Sequence, residues 1–152
     1  MKPVVIIGTD HAGYRLKERL KRWLIDSGYE VLDFGTTSMR DVDYPDFVIP
    51  VAEAVAAAKG AAIGIVLGGS GNGEAIAANK VRGIRAVLCY DAQTAKLARA
   101  HNNANVLALG GQTVTRNAAH SQRIVHLFLT TSFTKEARHV RRLKKIAAYE
   151  AR

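Results

Sequence analysis

The sequence predicts an α/β protein built on a five-stranded parallel sheet with helices on both faces. Short apolar runs rich in Val, Ile and Leu recur along the chain, and helical patterns fill the intervals between them. Strands that alternate with helices pair in parallel and are buried on both sides, which explains why the runs are almost wholly apolar. The length of 152 residues and a hydrophobic content of 48% suit one domain, 1–152, with a substantial core.

The elements follow in order. Val4 to Gly8 (VVIIG) reads as the first strand, the amphipathic stretch Gly13 to Ser27 as a helix, and Tyr29 to Phe34 as the second strand. Pro45 to Lys59 is expected to be helical, Ala62 to Leu67 (AIGIVL) the third strand, and Ser70 to Lys80 a helix. Arg85 to Cys89, the helix Ala92 to His101 and the strand Asn105 to Leu109 continue the alternation, and helices over Arg116 to Leu129 and Thr134 to Tyr149 close the chain. The alanines of Ala52 to Ala62 are ordinary helix composition, and no internal repeat is visible.

Composition excludes several classes. A single cysteine, Cys89, rules out an internal disulfide framework and a cysteine-rich zinc site; it reads as a small buried residue at a strand end. No His, Asp and Glu spacing marks a metal site. The apolar runs are too short to span a bilayer, and a cytoplasmic protein that does not engage a membrane is expected. The formal charge is +9, and from Gln112 onward nine Lys or Arg stand against two Glu, so most of the excess is C-terminal. Its members spread over more than one helix face, a pattern expected of solvated surface rather than of a nucleic-acid footprint, although a salt-dependent nucleic-acid module is the third class to weigh. Arg138 and Arg142, spaced i, i+4, are placed to point together at one anion.

The most informative segment is Ile63 to Lys80, IGIVLGGSGNGEAIAANK. Gly68, Gly69, Gly71 and Gly73 free the backbone amides to close around an anionic or oxyanionic ligand, and Ser70 and Asn72 add polar groups. Glu74 repels phosphate but suits the removal of a proton from carbon. The loop lacks GxxxxGK[ST]; its partial GxG pattern follows the third strand and meets Glu74 where glycine is needed, so dinucleotide binding, with Asp91 on a ribose, is the weaker reading.

Aldose–ketose conversion of a sugar phosphate accounts for these residues better. It needs a base between adjacent carbons, donors for the enediolate oxygen, a ring-opening group and a phosphate clamp. Glu74 is the candidate base, or else a helix-start acid; Ser70 and the amides of Gly71 to Gly73 are candidate oxyanion donors, or else a plain turn. Other polar residues fall after predicted strands, where ligands gather in such sheets: Asp10 and His11, Tyr44, and Gln112. Asp10 also reads as a helix cap, and His101, Asn102 and Asn103 as a helix stop. His120 and His126 have no evident partners and are expected on the surface.

With these motifs assembled, the chain resembles the ribose-5-phosphate isomerase B family, which includes galactose-6-phosphate isomerase subunits. The resemblance rests on TDHAGYRLK (Thr9 to Lys17), DYPD (Asp43 to Asp46), GGSGNGEAIAANK (Gly68 to Lys80), GIRA (Gly83 to Ala86), AKLARAHNNANVLALGG (Ala95 to Gly111) and RHVRR (Arg138 to Arg142). It implies a Rossmann-like three-layer α/β/α sandwich and metal-independent interconversion of ribose 5-phosphate and ribulose 5-phosphate through a cis-enediol, with no cofactor. It also implies a homodimer or a dimer of dimers, sites built from two subunits, and a C-terminal helix (134–150) that serves the dimer and the phosphate site. One version of the family places a cysteine base at the position of Gly68; this chain matches the other, with Glu74 as base and Gly69 to Gly73 around the substrate. The resemblance further implies ring opening by Asp10 with His139 or by His101, sugar contacts from Tyr44 and Asn102, and phosphate binding by His11, Arg138 and Arg142. Where the family often has arginine after the fifth strand this chain has Gln112, a neutral donor, which keeps other sugar phosphates in view; outside that class, a noncatalytic sugar-phosphate binding protein would keep the phosphate clamp without requiring Glu74.

Overall fold

The computed structural model describes residues 1–113 and 118–152. The elements run β1 (Val4–Thr9), α1 (Tyr14–Asp26), β2 (Val31–Asp33), α2 (Pro45–Ala57), β3 (Ala62–Gly68), α3 (Asn72–Ala78), β4 (Ala86–Leu88), α4 (Ala92–Asn102), β5 (Val106–Gly110), α5 (Ala118–Thr130) and α6 (Ala137–Glu150). All five strands are parallel, in the order β2-β1-β3-β5-β4, so the expected Rossmann-like α/β sandwich is the observed one.

Alternation along the strands builds two cores. Val5, Ile7, Ile63, Ile65, Leu67 and Leu107 face α1, α4 and α5, whereas Ile6, Val66, Val106 and Ala108 face α2 and α3. β3 is buried at every residue, which is why it reads as an unbroken apolar run. The edge strands β2 and β4 have three residues each and are shorter than expected, because each pairs on one side only. The helix expected from Ser70 begins at Asn72: Gly71 caps it at φ +83°, a left-handed conformation that glycine adopts without strain. The helix expected from Thr134 begins at Ala137. The expected start of the preceding helix, Arg116, lies outside the described residues.

α6 stands apart. Only His139 among its residues is buried, and Ile146 and Tyr149 are exposed. Val140, Leu143 and Ile146 recur at helical spacing, an apolar stripe without a core to enter. No helix among the described residues is long and apolar enough to cross a membrane.

Candidate active site

The chain leaves β1 toward β2 on one side and β3 toward β5 on the other, so the strand order reverses between β1 and β3. Their carboxyl ends are in register, Thr9 opposite Leu67, and a crevice at such a reversal is where ligands bind in open α/β sheets. Asp10 and the glycine loop are therefore neighbours by topology. Asp10 is buried, and its Oδ1 accepts from the amides of Ala12 (2.9 Å) and Gly13 (3.3 Å), which fixes the turn into α1. The N-cap of α1 is Gly13, without a side-chain cap, so Asp10 braces the turn ahead of the helix rather than capping it as expected. Thr9 Oγ1 closes the floor by donating to the Leu67 carbonyl at 2.8 Å, a contribution that the sequence pattern did not single out.

Glu74 sits in the first turn of α3, only 3% exposed. Burial raises its pKa above the ordinary carboxylate value and the Asp10 charge adds to this, while the amides of Glu74 and Gly71 offset part of the shift. A Cβ built on Gly68 would fall on the Glu74 carboxylate, so glycine at 68 is what leaves room for the acid. A Cβ on Gly73 would lie 2.7 Å from the Tyr44 ring, and one on Gly69 3.4 Å from Gln112 Oε1, which puts both side chains against the loop. Ser70 is exposed, and its Oγ accepts from the Asn72 amide at 3.2 Å.

His11 borders the same end. Its Nδ1 lies 3.2 Å from the Val42 amide nitrogen and 3.3 Å from the Val42 oxygen, and its Nε2 lies 3.5 Å from Asp41 Oδ1. The adjoining cavity of about 460 Å³ is lined by Asp41, Asp43 and Asp46, the wrong sign for a phosphate unless cations are brought to it.

The remaining expected residues lie at the other end of the sheet. α4 runs back against the strand direction, so its last turn carries His101 and Asn102 to the amino ends, beside a cavity lined by Pro3, Ala61, Arg85 and Asn103. The seven residues of β3 separate the two ends by about 20 Å. His101 and His139 stack with ring centroids 4.3 Å apart, and His139 is buried at the start of α6. Burial lowers the His139 pKa, and the charges of His101, Arg138 and Arg142 lower it further against the opposing effect of Glu136. Arg138 Nε donates to Glu136 Oε2 at 2.8 Å, whereas Arg142, about one helical turn further on, is exposed. One chain thus assembles Asp10, His11, Tyr44, Gly68 to Glu74 and Gln112 in one place, and His101, Asn102, Arg138, His139 and Arg142 in another.

Asp91 takes a role other than the one considered for it. Asp91, the candidate ribose ligand, is the N-cap of α4: its Oδ1 accepts from the Thr94 amide at 2.7 Å, and its own amide donates to Thr94 Oγ1. His120 is exposed, as expected, and its Nε2 lies 2.9 Å from the Tyr90 oxygen. Burial pushes the Cys89 thiol up to about 12, so it is not a nucleophile at neutral pH. Among the described residues no group of His, Cys, Asp and Glu is arranged to hold a metal ion.

A doubly wound sheet with a desolvated carboxylate over a glycine cradle at its switch point defines an α/β protein equipped for acid–base chemistry. The sequence profile of the family described as Ribose/Galactose Isomerase matches residues 5–146, and the chain belongs to that family of isomerases. It is 48% identical over 147 residues to ribose-5-phosphate isomerase B of Mycobacterium tuberculosis (strain CDC 1551 / Oshkosh), covering 96% of this chain and 89% of the relative. Among solved structures, ribose-5-phosphate isomerase B of Clostridium thermocellum superposes with a TM-score of 0.91 at 45% identity, covering 97% of each chain. The enzyme of the same name from Mycoplasma genitalium, solved with bound ribulose-5-phosphate, gives a TM-score of 0.93 at 38% identity, covering 99% of this chain and 98% of that one.

Proposed function

We propose that the chain interconverts ribose 5-phosphate and ribulose 5-phosphate, with Glu74 as the base. The observation that carries this reading is the buried Glu74 carboxylate, with its raised pKa, in the space that Gly68 leaves at the β1/β3 switch point. The family membership and the ribulose-5-phosphate held by the Mycoplasma genitalium relative support the substrate. In the open-chain aldose, Glu74 takes the proton from C2, the C1 oxygen becomes that of a cis-enediolate, and the same proton returns to C1 as the C2 oxygen becomes the carbonyl. The hydroxyl hydrogen of O2 passes to O1. Ser70 and the amides of Gly71 to Gly73 face the charge that develops on those oxygens, and Tyr44 and Gln112 border the sugar.

A second copy of the chain completes the site. The acid-lined hollow at His11 has no cation among the described residues, and the cationic start of α6 lies at the sheet edge opposite Glu74, so each end supplies what the other is missing. The unpartnered stripe of Val140, Leu143 and Ile146 gives α6 an apolar face for a homodimer, from which a dimer of dimers can grow. Asn102 then contacts the sugar, Arg138 and Arg142 clamp the phosphate with the partner's His11, and His101 with His139 serves ring opening beside Asp10.

Subunit mixing tests this arrangement. Glu74→Gln and His101→Ala homodimers are each expected to be inactive, and co-refolding equal amounts is expected to restore about a quarter of wild-type turnover. Half the dimers are then mixed, and one of their two sites is intact. Absence of recovery in dimers verified as mixed would mean that each site lies within one chain.

Gln112 favours a second reading, isomerisation of another sugar phosphate, because a neutral amide stands by the loop where the family often has a cation. Turnover of four-, five- and six-carbon sugar phosphates compared side by side decides between them: a higher kcat/KM for a tetrose or hexose phosphate overturns the pentose assignment.

A further inference from the structure

The link between α5 and α6 carries a hydroxyl at the centre of a three-way contact. The Thr134 amide donates to the Ala100 oxygen at 3.0 Å, and Thr134 Oγ1 lies 3.0 Å from that oxygen and 3.0 Å from His139 Nδ1. Ala100 belongs to the last turn of α4, and the Ala104 amide that would continue the helix bonds Ala98 instead. The Ala100 oxygen is therefore one of the helix-end carbonyls that need outside donors.

A threonine hydroxyl has one hydrogen. Aimed at Nδ1, it would leave two oxygen acceptors facing each other at 3.0 Å across Oγ1 and Ala100. Aimed at Ala100, it leaves a lone pair on Oγ1 to accept from an N–H at Nδ1, and every group in the contact is satisfied. The neutral His139 ring then carries its hydrogen on Nδ1 and a lone pair on Nε2, because the bond made by one ring nitrogen sets the state of the other. The ring is 4% exposed and stacked on His101, so it is not free to turn over, and no described residue bonds Nε2.

We propose that Thr134 is a positioning residue, whose hydroxyl holds His139 as the Nδ1–H tautomer so that Nε2 offers an acceptor to a hydroxyl of the sugar. What Nε2 faces rests on the two-subunit site proposed above; the tautomer does not. The burial and neighbouring charges that lower the His139 pKa favour the neutral ring that an acceptor requires. An acceptor nitrogen is also the wrong polarity for phosphate, which assigns His139 to the sugar and leaves phosphate to the arginines.

Two-bond ¹⁵N–¹H correlation spectra of the full chain read the tautomer directly. The wild type and Thr134→Ser are expected to show Nδ1–H with an unprotonated Nε2 at His139, and Thr134→Val, of equal shape without the hydroxyl, a shift toward Nε2–H. Turnover of ribose 5-phosphate by Thr134→Val is expected to fall about tenfold in kcat, the scale of one lost hydrogen bond, with KM changed less and with Thr134→Ser close to wild type. An Nε2–H tautomer in the wild type, an unchanged tautomer in Thr134→Val, or equal damage from Ser and Val overturns the proposal. If the wild type carries the Nδ1–H tautomer but turns over no sugar phosphate, it is the functional reading that fails, and Thr134 keeps its control of the ring.

Discussion

Glu74→Gln is expected to lower kcat for ribose 5-phosphate by about 10³-fold while leaving binding of a phosphorylated sugar within a few-fold of wild type, because a general base contributes on the order of 10²–10⁴. The amide keeps the shape that fills the space above Gly68 but cannot accept a proton from carbon. Stability moves the other way. A carboxyl whose folded pKa is raised binds its proton more tightly in the folded state, so its contribution to stability is present below the ordinary value and lost as pH rises through the raised one. Gln resembles the protonated form at every pH. Urea unfolding should therefore find Glu74→Gln at least as stable as wild type at pH 7, with the difference shrinking toward acid. The wild-type kcat–pH profile should rise with ionisation of a group above the usual carboxylate range. Turnover within tenfold of wild type would remove Glu74 from the role of base.

Gly68→Ala is the second large effect. A single methyl at this position would lie where the Glu74 carboxylate is, and β3 is buried on both faces, so the acid must move rather than the strand. A displacement of about 1 Å at a reacting group costs on the order of 10²-fold in rate, and at least that loss in kcat is expected. Gly68 does not have a positive φ, so alanine meets no backbone penalty there and the circular dichroism spectrum should be unchanged. Full activity in a folded Gly68→Ala protein would show that Glu74 works from a different position.

The sheet, its helices and the cluster of polar residues at its carboxyl edge that forms one half of the candidate site were legible in the sequence because they depend on local pattern. The unbroken apolar run of β3 announces a strand buried on both faces, and polar residues after strand ends announce the carboxyl edge. Edge strands were less legible: β2 and β4 end where pairing ends, and no residue type in Tyr29 to Phe34 marks that point. Asp91 reads in the sequence only as a ribose ligand, from its distance past a glycine; its place as the cap of α4 shows once Thr94 is seen to bond it. The separation of His101 and His139 from Glu74 follows from chain direction, and only the assembled sheet shows that α4 ends at the opposite edge. Thr134 left no signal in the sequence pattern; its partners at positions 100 and 139 meet only when α6 folds back on α4.

The crowding at Gly68 also bears on how such a site changes over generations. A side chain at position 68 and the Glu74 carboxylate claim the same volume, so a larger residue cannot be added at 68 while the acid is still in place. A cysteine arriving at position 68 would displace Glu74, and on the proposed mechanism loss of Glu74 first would leave the loop without its base. Substitutions at positions 68 and 74 are thus expected to depend on each other, and a large side chain at one predicts a small one at its counterpart.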